Sequence, residues 1–181
     1  AQVAANRLGV SRFREICGRY GRAAVDLAGH ELLDYTERKV RAGIRTIPNG
    51  EYAFQDAFET NEVPGKFDIS LRMTVEDERI LFDFDAPAQV RASFNLVRTA
   101  LLSTVYYAVK TIVGPDIPSN GGLGRALEVT APVGSILNCV SPAAVNGRVD
   151  LCQRVVDVVH GAFAQAVPGR VGAAANGAVT A

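Results

Sequence analysis

The strongest constraint on the fold of this chain is a change of hydrophobic period. Phe67, Ile69, Leu71, Met73 and Val75 alternate with Asp68, Ser70, Arg72 and Thr74. After the polar link from Glu76 to Arg79, Ile80, Phe82 and Phe84 alternate with Leu81, Asp83 and Asp85. Successive side chains of a strand point to opposite faces, so each run has an apolar face and a polar one. Two such runs across a short polar link predict an antiparallel hairpin whose apolar face must be covered. A shorter strand around Tyr52 to Phe54 is expected before it.

Helical spacing surrounds this hairpin. Phe13, Ile16, Cys17 and Tyr20 predict a first amphipathic helix ended by Gly21. Val25, Leu32, Leu33, Val40, Ile44 and Ile47 stripe a second, with Glu37, Arg38, Lys39 and Arg41 on its outer face and Pro48, Asn49 and Gly50 as its stop. A third helix is predicted over 93–113, on the stripe Phe94, Val97, Leu101, Val105, Ala108 and Ile112. A fourth is predicted over 150–167, opening at Asp150 in a capping-box-like spacing with Gln153 and burying Leu151, Val155, Val158, Val159, Ala162 and Phe163. From Gly169 to Ala181 the chain is mostly Gly, Ala and Val, which suits a glycine-rich loop with a final strand or a frayed end. The expected fold is a single α+β domain over 1–181. Its antiparallel or mixed sheet contains a central hairpin and packs with about four amphipathic helices.

Between the last two helices, residues 114–148 are dense in Pro and Gly, around a short apolar segment at Leu127 to Val129. Pro fixes its own φ and Gly reaches conformations other residues avoid, so the backbone course here is dictated. Loops held in this way carry binding groups more often than regular elements do. Asn95, Asn120 and Asn138 lie at or beside a rigid loop or helix start, and with Ser135 they are the candidate substrate-binding residues. An amide donates and accepts at once, which suits orienting a polar substrate, but it equally suits bonding its own backbone in a turn; the sequence leaves both open.

Other chemistry finds less support. Asp83 and Asp85 share a strand face, where carboxylates could pair or hold a metal, but a solvated face gives the same pattern. His30 and His160 are far apart and neither has a close-spaced second ligand, so no metal site is expected in the segment. The run Asn120 to Gly124 lacks the Lys-Ser/Thr of a phosphate loop, and Ser135 lacks the Gly-x-Ser-x-Gly elbow of a hydrolase nucleophile. Lys plus Arg equals Asp plus Glu at 19 each, which argues against a nucleic-acid partner. No apolar run is long enough for a membrane span. Three unevenly spaced cysteines, Cys17, Cys139 and Cys152, argue against a disulfide scaffold and make the cytoplasm the expected compartment. The chain opens at Ala1 inside a helical pattern, so an excised or internal piece of a longer protein is expected.

Collinear motifs across nearly the whole chain resemble the hydantoinase B/oxoprolinase family. They run from Ala4-Ala5-Asn6-Arg7-Leu8-Gly9 and Tyr20-Gly21, through Glu37-Arg38 and Ile47-Pro48, to Gly50 and Tyr52. Asp83-Phe84, Gln89-Val90-Arg91, Asn95 and Ile117-Pro118 with Asn120 follow. Gly134-Ser135, Leu137-Asn138 and Pro142-Ala143-Ala144-Val145 close the set. After Asp83-Phe84 the family's Gly-Thr turn is replaced by Asp85-Ala86-Pro87-Ala88. The resemblance implies a segment of a B-type subunit that works with a hydantoinase A-like, ATP-binding partner subunit in a hetero-oligomer. The implied reaction is ATP-dependent hydrolysis of a small-molecule cyclic amide, a hydantoin, 5-oxoproline or a lactam. ATP and a divalent metal are implied for the whole complex, with the family's His- and Asp-rich region lying outside this segment. A sister branch carboxylates ketones with ATP, and a non-catalytic assembly role is the reading from a third class.

Overall fold

The computed structural model describes residues 1–175; the last part of the expected glycine-rich tail, 176–181, lies outside the described residues. The elements are α1 (Gln2–Tyr20), α2 (Arg22–Ile44), β1 (Gly50–Glu59), β2 (Lys66–Glu76), β3 (Arg79–Asp85), α3 (Arg98–Val113), β4 (Leu127–Thr130) and α4 (Arg148–Ala166). Short 3₁₀ turns occupy Leu123–Ala126 and Pro168–Arg170. The strands form one sheet in the order β1-β2-β3-β4. β1, β2 and β3 are successively antiparallel, and β4 runs parallel to β3, so the sheet is mixed. The predicted hairpin is β2–β3, with Met73 opposite Phe82 and Glu76 opposite Arg79.

The predicted alternation sets the layers. Phe67, Ile69, Leu71, Met73, Val75, Ile80, Phe82 and Phe84 are all buried, while Asp68, Arg72, Asp83 and Asp85 on the other face are exposed. α4 lies on β1 and β2, α3 packs on α4, and α2 reaches the 3₁₀ turn at Leu123–Ala126. Phe82 meets Phe163 of α4 edge-on at 6.3 Å between ring centroids, a favourable aromatic arrangement at the middle of the core. His160 belongs to this packing: its Nε2 lies 2.9 Å from Thr111 Oγ1 and ties α4 to α3.

Three expectations change. β1 runs through Glu59, well past Tyr52–Phe54, with Asp56 on the inward face. Its charge is met by Arg154 of α4 at 2.6 Å, and Asp157 lies 3.5 Å from the same guanidinium. The third helix begins at Arg98 rather than at residue 93, because 93–97 is irregular backbone tied to a neighbouring loop. The fourth helix starts at Arg148 behind Gly147, so Asp150 sits in its first turn, where a negative charge suits the helix dipole, and is not its cap.

Phe82→Ala removes a fully buried ring from the central strand and is expected to cost about 4 kcal/mol of stability. Arg72→Ala, on the solvated face of the next strand, should stay within about 0.5 kcal/mol, and denaturant unfolding of both variants compares them directly.

Candidate functional site

Two loop systems carry the four sequence-derived candidates. The first clasps residues 87–97 to 131–147. Backbone bonds run from Gln89 N to the Gly134 carbonyl at 2.8 Å, from Leu96 N to Ile136 at 2.7 Å and from Cys139 N to Leu96 at 2.9 Å. Gln89 adds both ends of its side-chain amide: Nε2 donates to the Val140 carbonyl at 3.0 Å and Oε1 accepts from Val140 N at 2.7 Å.

Asn95 is the centre of this clasp and is wholly buried. Its Oδ1 accepts from Val90 N at 3.0 Å, and its Nδ2 donates to the carbonyls of Val90, Ala92 and Ala144 at 2.9, 2.8 and 3.0 Å. A segment without a ladder must find other partners for its backbone groups, and here one amide supplies four. Asn138 donates from Nδ2 to the Ala131 carbonyl at 3.1 Å and is buried. Ser135, bridged to both Ala88 and Asn138, is 2% exposed, and its hydroxyl has no hydrogen-bond partner among the described residues. The clasp thus gathers Asn95, Ser135 and Asn138 as interior groups. Cys139 lies in it, half-buried, and burial pushes its thiol pKa up, away from the reactive thiolate.

The clasp is fastened to the strands through Glu62. Its carboxylate accepts from Ser93 N at 2.7 Å and from the Ser93 hydroxyl, and Gly147 N donates to the Ser93 carbonyl at 3.0 Å. The Ser93 hydroxyl, and after it the Ser93 N–H, holds the Glu62 carboxyl below the usual carboxylate range.

Asn120 stands apart, in a groove between α3 and the Gly-rich turn. Its Oδ1 accepts from Gly122 N at 2.9 Å, closing an Asx turn, and its Nδ2 donates to Thr36 Oγ1 of α2 at 2.8 Å. Gly122 passes so close to α2 that a Cβ there would lie 2.1 Å from the Leu33 carbonyl oxygen. The groove is open to solvent, offers about 590 Å³ and is lined by Tyr106, Tyr107, Lys110, Ser119, Asn120 and Leu123 among others. Its size and mixed lining are those of a small-molecule site. Lys110 Nζ donates to Ser119 Oγ at 3.0 Å and leaves donors over for an incoming acceptor. Turn chemistry marks Asn120 in the sequence, but Tyr106 and Lys110 carry no such signal and read as ordinary helix surface. Among the described residues no three His, Cys, Asp or Glu side chains come together to hold a metal ion.

A model of the hydantoinase B/oxoprolinase family matches residues 1–181. A protein from Pseudomonas sp. (strain NS671), named as the B component of a D-/L-hydantoinase, is 32% identical over 96% of this chain and 31% of its own length. The crystal structure of the ATP-dependent caprolactamase from Pseudomonas jessenii superposes with a TM-score of 0.82 at 27% identity, over 93% of this chain and 30% of that one. A nucleotide-free acetone carboxylase structure shares the fold, with a TM-score of 0.74 at 14% identity over 87% of this chain and 23% of that one. The chain therefore spans about a third of the length of the relatives it matches first.

Gly122→Ala sets a methyl group against backbone rather than a movable side chain, and should destabilise the protein by about 2 kcal/mol in denaturant unfolding. Ser93→Ala should raise the Glu62 midpoint toward its ordinary value in a carboxyl NMR titration. Because the folded pKa is depressed, the Glu62 tie is fully present above the unfolded pKa and is lost as pH falls through the folded one.

Proposed function

The chain belongs to the hydantoinase B/oxoprolinase family, and from that membership we propose that it is one segment of a B-type subunit in an ATP-dependent cyclic-amide hydrolase. The observation that carries the proposal is collinearity. The family match runs the full length of the chain, and the same segment folds alike within the caprolactamase. In this reading the substrate is a hydantoin, 5-oxoproline or a lactam, and an A-like subunit supplies ATP. Any divalent metal is held outside the described residues. Free cysteines suit a complex working in the cytoplasm.

The segment's own part is to shape and dry a wall of the substrate site. ATP supplies the free energy for opening an unstrained amide, and water must be kept from reacting unproductively while that energy is committed. Walls do this best when their rotamers are locked by neighbours, and the loops on Asn95, Ser135 and Asn138 are locked in that sense. Asn120 fixes the turn that forms one side of the groove, and Lys110 in the groove lining offers a charged donor for a carbonyl or carboxylate oxygen.

The assay pairs the family-length subunit with its A-like partner and follows ATP consumption with hydantoins, 5-oxoproline, lactams, or ketones plus bicarbonate. Stimulation by a cyclic amide, with ring opening, is the expected result; stimulation only by ketone and bicarbonate would move the protein to the carboxylating branch. Within that assay Lys110→Ala should raise KM roughly tenfold, about the loss of one charge-assisted hydrogen bond, with assembly unchanged. An unaltered KM would remove the groove from the substrate site.

A further inference from the structure

α1 is amphipathic, yet none of its nineteen residues is buried. Val3, Asn6, Val10, Phe13, Cys17 and Tyr20 recur in alternating steps of three and four, which places them on one stripe. Val3, Val10, Phe13 and Tyr20 on that stripe are 65, 51, 46 and 62% exposed. Shallow grooves of about 420 and 540 Å³ run along it, and Arg14 lines both. Single helices of this length are marginal in water, so a stripe of this kind is packed against something in the working protein.

The charges on α1 say what kind of surface that is. Arg7 and Arg14 flank the stripe, and no carboxylate pairs with either among the described residues. The only acid of α1, Glu15, lies on the other side of the helix and is held by Arg12 at 2.7 Å. Asp26 on α2 is taken by Arg22 at 2.7 Å. A second copy of α1 would therefore bring arginine against arginine with no free carboxylate between them. Asn6 and Gly9 interrupt the apolar face, which weakens insertion into lipid relative to docking on protein. The caprolactamase superposition leaves 7% of this chain unmatched, about 13 residues, fewer than α1 contains. Part of α1 thus has a counterpart within a much longer polypeptide.

We propose that α1 docks, through the Val3–Val10–Phe13–Tyr20 stripe, onto an apolar surface rimmed by Asp or Glu carboxylates in the remaining two-thirds of a family-length subunit. The proposal rests on the reading that this chain is a segment of such a subunit. Arg7 and Arg14 meet the rim, and the aromatic side chains fill the centre.

Hydrogen exchange over residues 3–20 tests this, comparing the family-length subunit with the 181-residue chain alone. The α1 amides should exchange at least about a hundredfold more slowly in the longer protein. Phe13→Asp should abolish that protection. The double reversal Arg7→Glu, Arg14→Glu should weaken it, and added salt should weaken it in the unaltered protein as it screens the rim pairs. Equal exchange in both proteins overturns the docking. So does protection of α1 in the short chain that rises with concentration, which would mean a second copy. Flotation of the short chain with phosphatidylserine vesicles, lost in Phe13→Asp, would mean a lipid surface and overturns it as well. The readout uses no substrate, so failure of docking and failure of the cyclic-amide reading are seen separately.

Discussion

The apolar face of β1–β3 is the constraint on which the rest of the structure depends. Five side chains of β2 and three of β3 point into it, and nearly all are fully buried. Removing this face from water stabilises the fold by about 25 cal/mol per Å² of apolar area. α4 must therefore lie on this face, with Leu151, Val155, Val158, Val159, Ala162 and Phe163 turned into the core. α3 packs on α4, and the irregular segment between them returns to the sheet at β4. Its short strand β4 joins β3 in parallel because the chain returns from α3 in that direction.

Outside β4, the segment between α3 and α4 belongs to no strand, so its backbone groups need other partners. Side-chain amides supply some of them. Asn95, Gln89, Asn120 and Asn138 each serve backbone groups, and Asn95 alone serves four. Aspartate has no donors and leucine no polar atoms, so neither could replace an amide that must both donate and accept in a buried place. An ion network does similar work at the surface. Arg41 and Arg125 share Glu37, and Arg125 also reaches Asp34, which ties α2 to the 3₁₀ turn after the Gly-rich segment. The Arg41 guanidinium, followed by that of Arg125, holds the Glu37 carboxyl below its usual range.

What is legible in the sequence follows from the range of the interactions involved. Periods of two and of 3.6 are local, so the hairpin, the four helices and the mixed α+β character can be read directly. The alternation predicts β1 only as far as Phe54 because Asp56 breaks it, and the residue that repairs the break, Arg154, is far away along the chain. The apolar stripe predicts too early a start for α3 because Phe94 fits it. Long-range bonds, from Ser93 to Gly147, from Asn95 to Ala144 and from Leu96 to Ile136 and Cys139, place 93–97 in the loop clasp. Turn chemistry marks the four candidate site residues, and the structure shows that chemistry in use at Asn95 and Asn120. The groove beside Asn120 is not legible, since Tyr106 and Lys110 acquire a common neighbour only when the Gly-rich turn folds back onto α3.

The distribution of exposed side chains separates two kinds of surface. The outer face of the sheet carries the exposed Asp68, Arg72, Asp83 and Asp85, with Thr130 Oγ1 donating to Asp83 at 2.6 Å. The exposed large apolar residues lie elsewhere: along α1, at Leu27, Leu32 and Tyr35 of α2, at Tyr107 in the groove, at Val97, Val133 and Val140 in the clasp, and at Val149 at the start of α4. Scattered apolar residues are normal on any surface, but a stripe beside arginines that pair with no carboxylate among the described residues, and a groove with a lysine in it, are not scattered. Both arise from elements that the core has already made rigid or, at Gly21 with its φ of 80°, has released from α2 to point away. The sheet and α4 hold the shape of the described chain, while the α1 stripe and the groove beside Asn120 lie at its surface.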